Sequence, residues 1–251
     1  MQLNKQGAII MTSTNPLYLL QSFSKQAQKE ASSKLSRKTT ISTLQSSLRR
    51  HESLIETVSQ ATNKQVACKE SCSYCCSYCR VFVTPAEVFL LNQSIQKSLS
   101  TTQLTDFIHK LTDRVRHLTT LSNEDFYNSN IDCIFLENNL CSVYEVRPFN
   151  CRNYHAIDVE GCIATYNDAE ADVANAFVEE LFIAGQGFSE GVINSYQAKG
   201  YDVTSYELHS ALLEAFTNTK SEQRWAKKKK AFLTAIAQSS RVPTEPLQLA
   251  V

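Results

Sequence analysis

The sequence predicts a mainly α-helical domain built around a small cysteine-rich core, with little regular strand. Three observations predict it. Only 6 Gly and 5 Pro stand among 251 residues, too few for the many tight turns of sandwiches and barrels. Apolar residues recur at spacings of three and four along several stretches, the period of a helix face. Between those stretches, residues 122–166 keep neither a helical nor an alternating period, yet hold four of the nine cysteines. A hydrophobic fraction of 43% and a charged fraction of 20% are those of a globular chain. At this length roughly 70–75% of the unfolded surface can be buried.

Asn15-Pro16 reads as a helix start, a capping side chain followed by proline at the first helical position. The helix runs to about Ser36, with Leu17, Leu20 and Phe23 as its apolar face. Ile41, Leu44, Leu48, His51, Ile55 and Val58 then form a narrow stripe over 40–60, suited to packing on the domain or on another chain. After the cysteine-rich stretch 68–79 comes Thr84-Pro85-Ala86-Glu87, in which Thr84 caps, Pro85 opens the first turn and Glu87 reaches back. That helix turns Val88, Leu91 and Ile95 inward. The next, from Thr102 to about Leu121, repeats Leu104, Phe107, Ile108, Leu111, Val115 and Leu118.

Residues 122–166 are expected to be irregular, with small strands at pieces such as Ile134-Phe135-Leu136. So long a loop in a compact domain needs something other than apolar burial to order it. Periodicity returns after Asp168: Val173, Phe177 and Leu181 share one helical face, and Tyr206, Leu212, Leu213 and Phe216 another. Trp225, Phe232, Leu233 and Ile236 give the apolar side of a last, basic helix. The expected organisation is an N-terminal helical extension (1–62), a cysteine-cluster region with two inserted helices (63–166), C-terminal helices packed on the same domain (167–240) and a frayed tail (241–251).

No apolar run approaches the ~18–20 residues that span a bilayer. Ala8-Ile9-Ile10-Met11 is too short for the apolar section of a secretion signal. The expectation is a cytoplasmic protein with no membrane partner, whose clustered thiols stay reduced and read as metal ligands rather than disulfides. Net charge is zero but unevenly placed. Residues 1–50 carry eight Lys/Arg against one acid, and residues 124–190 thirteen Asp/Glu against two Arg. A second basic run, Lys227 to Lys230, lies near the C-terminus. With an acidic middle and no recognised nucleic-acid motif, nucleic acid is not the expected partner. The N-terminal helices offer a surface for a protein partner.

Five of the nine cysteines fall within CKESCSYCCSYC (68–79). Crowded thiolates repel one another unless a cation shares them, and soft thiolates select zinc or iron–sulfur clusters. Cys75 and Cys76 are adjacent, and neighbouring side chains diverge, so a pair of sites or a multinuclear site fits better than one ion. Eight thiols at four per tetrahedral ion also give two sites, with the partition left open. A bound metal, at about 10–16 kcal/mol for structural zinc, could order the middle segment.

These residues also resemble a known family, the YkgJ-type cysteine-cluster proteins, regarded as zinc- or iron-chelating domains. The first half of the likeness is Cys68, Cys72, Cys75 and Cys76, followed by the TPAE helix start. The second is Cys133-IFLENNL-Cys141-SVYEVRPFN-Cys151-RNY, with Cys162 beyond. The resemblance covers about 65–165 and implies that Cys68, Cys72, Cys75, Cys76, Cys133, Cys141, Cys151 and Cys162 ligate metal, zinc or an iron–sulfur cluster. Cys79 falls outside the pattern and reads as a spare ligand.

Arg147 and Arg152 either donate toward the sulfurs or, in Arg147's case, bridge locally to Glu145; the sequence favours neither. His155 is a weaker candidate ligand beside eight thiols. His51, His109, His117 and His209 fall on predicted helices and read as ordinary surface or packing residues.

The leading expectation is a metal-binding protein of this cysteine-cluster type. One alternative is an iron–sulfur enzyme, an oxidoreductase or a protein lysine methylase-like catalyst. It is suggested by Cys68-x3-Cys72-Ser73-Tyr74-Cys75, a spacing similar to that of radical S-adenosylmethionine enzymes. The repeated strand–helix units and glycine-rich contacts such enzymes use are missing from the pattern. The other alternative is a zinc-stapled interaction module displaying basic helices. No phosphate-binding loop, paired-carboxylate signature or nucleophile motif supports metal-free catalysis.

Overall fold

The structure is a computed structural model that describes residues 2–3, 9–10, 15–36, 39–62, 64–78, 80–168, 171 and 177–240. Cys79, Val173 and the tail 241–251 lie outside the described residues. The chain is mainly α-helical. Its strands are two-residue pieces: β1 (Gln2–Leu3) with β2 (Ile9–Ile10), β3 (Phe82–Val83) with β6 (Tyr206–Glu207), and β4 (Leu136–Glu137) with β5 (Leu140–Cys141), all antiparallel.

Two long N-terminal helices, α1 (Pro16–Leu35) and α2 (Thr40–Thr62), pack with α9 (Glu179–Ala198); α2 also meets α4 (Pro85–Ser98). On the other side α10 (Leu208–Thr217) lies against α4 and α5 (Thr101–Thr120). One apolar core runs through these layers, from Leu19 and Phe23 through Phe89 and Leu91 to Leu212, Trp225 and Phe232.

The helix starts follow their sequence signals. Asn15 accepts the Tyr18 N–H at 3.2 Å, and Glu87 accepts the Thr84 N–H at 2.8 Å. Glu87 then does more than cap: its other oxygen accepts the Phe149 N–H at 2.9 Å, pinning the middle segment to α4. Burial raises the pKa of this carboxyl, against the donors that lower it.

Four expectations are corrected. The buried stripe of α1 is Leu19, Phe23, Ala27 and Ala31, and Leu17 is 63% exposed. Small residues face α9 because Gly187 and Gly191 let the two backbones approach: a Cβ on Gly191 would stand 2.1 Å from the Ser24 carbonyl oxygen. Tyr206 is a fully buried strand residue rather than a helical one. Phe177 bridges to Ala156 before α9 begins.

The last basic helix is α11 (Lys220–Ala226) and stops there, with Lys228 in the left-handed region at φ 58°. Beyond it the Glu214 carboxylate accepts the N–H groups of Leu233, Thr234 and Ala235, and Asp202 accepts that of Ala231. Side-chain oxygens thus take donors that a helix would have used. Among the described residues no helix is long and apolar enough to cross a membrane.

Candidate metal centre

The cysteines sit on short elements pinned by backbone hydrogen bonds. Cys75 and Cys76 open α3 (Cys75–Tyr78), whose carbonyls meet the middle segment: Cys133 N–H donates to Cys76 O at 2.8 Å and Ile131 N–H to Ser77 O at 2.9 Å. Cys141 ends the β4–β5 hairpin opposite Leu136, its turn made by Asn138 and Asn139 at positive φ. Asn tolerates that conformation better than most residues. Cys151 lies in α7 (Phe149–Arg152), and Cys162 in α8 (Val159–Asn167), which Asp158 caps. The aperiodic middle is therefore a chain of very short elements: α6 (Asn123–Asn128), the hairpin, a single 3-10 turn at Tyr144–Val146, α7 and α8. No helical period survives such brevity.

Among the described residues the eight cysteines form no disulfide. Their electrostatic neighbours fall into two groups. Cys68 feels Cys72 and Cys162, and Cys162 in turn feels Cys72. Cys133 feels Cys76 and Cys141, and Cys151 feels Cys133, Cys76 and Cys141. Cys75 donates a hydrogen bond to Cys76. Sulfurs from both halves of the cysteine pattern thus approach one another in each group. Among the described residues, no three His, Cys, Asp or Glu side chains stand together in an arrangement that could hold a metal ion.

The first group is held by hydrogen bonds of Ala67 and Cys68 with 154–156. Ala67 N–H donates to Ala156 O at 2.8 Å, and Ala156 N–H to Cys68 Sγ at 3.3 Å. The Tyr78 hydroxyl, which donates to that of Tyr154 at 3.0 Å, also interacts with Cys162 and lowers its thiol pKa. Desolvation raises the thiol pKa of both Cys68 and Cys162, and their neighbouring cysteines raise them further.

In the second group burial pushes Cys133 up to about 12, with Cys76 and Cys141 adding to it. Cys141 is raised by burial, while Arg147 and Arg152 oppose. Crowded protein around Cys151, then the field of Cys133, Cys76 and Cys141, raises its thiol, although the residue keeps an exposed face. Cys76 goes the other way. The Cys75 hydrogen bond lowers it to about 7 despite burial, and Arg147 helps.

Thiols are the donors that a soft cation selects, although as placed no three of the described side chains are gathered to hold one. Most of these thiols are disfavoured as anions by burial and by one another, which is the penalty a shared metal removes. Ligation would then release protons from Cys68, Cys133, Cys141, Cys151 and Cys162.

Of the two readings of the arginines, their action on the thiols agrees with the lowering of Cys76 and Cys141, and the local bridge from Arg147 to Glu145 is corrected. Arg147 and Arg152 face Glu52 of α2, at 3.9 and 3.3 Å, rather than Glu145. Arg152 is buried and also donates to the carbonyls of Arg147 and Glu145 at 2.9 and 2.7 Å, so it ties the loop together as well as offsetting thiolate charge. His51 is a packing residue as expected, its Nε2 2.7 Å from Asn153 Oδ1 and its ring between Phe149 and Phe188. His109 and His117 lie on α5, and the Nδ1 of His155 is buried with no hydrogen-bond partner among the described residues. His209 is not an ordinary helix residue: it is buried and paired with Glu207. Sequence reasoning missed Glu52, Tyr78 and Glu207. Only the Glu-x-His spacing at 207–209 carried a signal.

Residues 67–175 match the family model CxxCxxCC, described as “Putative zinc- or iron-chelating domain”. No curated protein matches the chain. No solved structure matches it either.

Proposed function

We propose that the chain, whose residues 67–175 match the model of a zinc- or iron-chelating domain, binds two metal centres, each through four cysteines. Cys68, Cys72, Cys75 and Cys162 form one set; Cys76, Cys133, Cys141 and Cys151 form the other. The observation that carries the reading is the division of the thiols into two electrostatic neighbourhoods, each drawing on both halves of the motif. Cys75 joins the first set by count, because Cys76, Cys133, Cys141 and Cys151 already make four and four thiolates complete either a tetrahedral zinc or a cubane iron–sulfur site; its hydrogen bond to Cys76 sets it at the border of the two sets. Bound there, the metal supplies charge neutralisation and a cross-link. The chain's own groups hold the thiols apart and in reach: Arg147 and Arg152 temper the charge of the second set, and the Ala156 N–H and Tyr78 do so for the first.

Metal analysis after anaerobic purification tests this. Expected are about two ions per chain if zinc, or a brown protein with stoichiometric sulfide if iron–sulfur. Cys76→Ser and Cys162→Ser should each lose one centre and keep the other. Loss of both centres from either variant would mean a single multinuclear site, and no metal in the wild-type chain would end the proposal.

A further inference from the structure

Glu207 and His209 lie outside residues 67–175, at the junction of β6 and α10. Both are buried. The carboxylate caps α10, accepting the N–H of His209 at 3.0 Å and of Ser210 at 2.8 Å, and stands 2.6 Å from His209 Nδ1. A carboxylate can only accept, so Nδ1 carries a proton, and the Ile134 N–H aimed at Nε2, at 3.3 Å, makes that nitrogen the acceptor. Ile134 directly follows Cys133, whose own N–H donates to Cys76 O. His209 and Glu207 line one small cavity together with Cys76 and Cys133. A carboxylate on one nitrogen of a histidine fixes the tautomer and the orientation of the ring, so the other nitrogen is held on the Ile134 N–H.

We propose that the Glu207–His209 pair is a positioning device for the Cys76/Cys133 thiol set: it fixes the peptide after Cys133 and so ties that centre to the C-terminal helices. The inference rests on the two-centre reading above. His209 acts through the Ile134 N–H and does not itself ligate.

The test uses the full chain with cobalt(II) as the probe, in a Cys162→Ser background that retains only the Cys76/Cys133 centre. Affinity is measured by chelator competition and the ligand set by the visible spectrum. His209→Leu removes the acceptor and should weaken cobalt binding about 10–100-fold. His209→Gln, whose side-chain oxygen can accept the same N–H, should recover most of that loss with an unchanged spectrum. Undiminished affinity in His209→Leu would overturn the inference while leaving the two centres standing. So would a spectrum changed in both variants, which would make His209 a ligand. Should His209→Leu not fold, Glu207→Gln serves: it should weaken this centre and spare the Cys68/Cys72 centre in a Cys76→Ser background, and equal loss at both would overturn the inference. Wild-type chain that takes up no cobalt defeats the metal reading and this inference with it.

Discussion

His51 sits with its Nε2 on Asn153 and its ring against two phenylalanines, and burial lowers its pKa to about 4 from 6.5. Arg152, His155 and Arg147 lower it further, while the Asn153 hydrogen bond opposes. The fold therefore prefers the neutral ring. Above the unfolded value both states are uncharged and the stability is complete; as pH falls from 6.5 toward 4 the unfolded chain takes a proton that the fold refuses. Stability is lost across that window, about 2 kcal/mol by about pH 5 and about 3 kcal/mol in all. His51→Gln can keep the hydrogen bond without titrating. Urea unfolding at about pH 7 and about pH 5 should show a drop about 2 kcal/mol smaller in the variant than in the wild type. Equal drops would place the acid sensitivity elsewhere. The position of His51 was legible, since it continues the stripe of Leu44 and Leu48. Its partner was not: Asn153 is 102 residues away, and no period or motif links the two.

At the scale of elements, capped helices with large apolar faces were legible, because Pro16, the Thr84–Glu87 box and the α5 stripe act locally. The α1–α9 contact was not. It is made by Ala27, Ser24, Gly187 and Gly191, residues that a search for large apolar side chains passes over. Two effects compete at Gly191. Alanine is favoured in a helix interior by about 1 kcal/mol, but its Cβ would lie 2.1 Å from the Ser24 carbonyl oxygen and 2.8 Å from its carbon. Backbone atoms cannot swing aside, so α1 must shift and the overpacking term, about 1–3 kcal/mol, wins. Gly191→Ala should lower the urea midpoint, with a Ser24→Gly partner failing to rescue it because the clash is with main chain. A stabilised Gly191→Ala would mean that the two helices can separate freely. The early end of the last helix was hidden for a related reason: Glu214 and Asp202 claim N–H groups 19 to 29 positions further along the chain, and their acceptors cannot be assigned from the basic run itself.

Across the whole molecule the apolar core and the thiol sets divide the work. Buried large side chains concentrate in α1, α2, α4, α9 and α10, whereas between residues 131 and 168 only Ile131, Phe135, Pro148, Phe149, Ala156 and Cys162 are buried apolar groups. The middle is joined to the core at a few polar points: Glu87 to Phe149, Glu52 to Arg152 and His209 to Ile134. The clustering of cysteines was legible as a need for a cation; which sulfurs meet was not, because α3 and α8 decide it by packing. If two centres each contribute a large share of the roughly 10–16 kcal/mol typical of structural zinc, while the core alone retains an ordinary net stability, removing metal should not unfold the chain as one unit. Hydrogen exchange with and without a strong chelator should then show amides at 131–168 losing protection, while α4 and α9 keep theirs. Exchange that accelerates uniformly would mean the apolar core itself depends on the thiol sets, and exchange that does not change would mean that the short elements of the middle hold without metal.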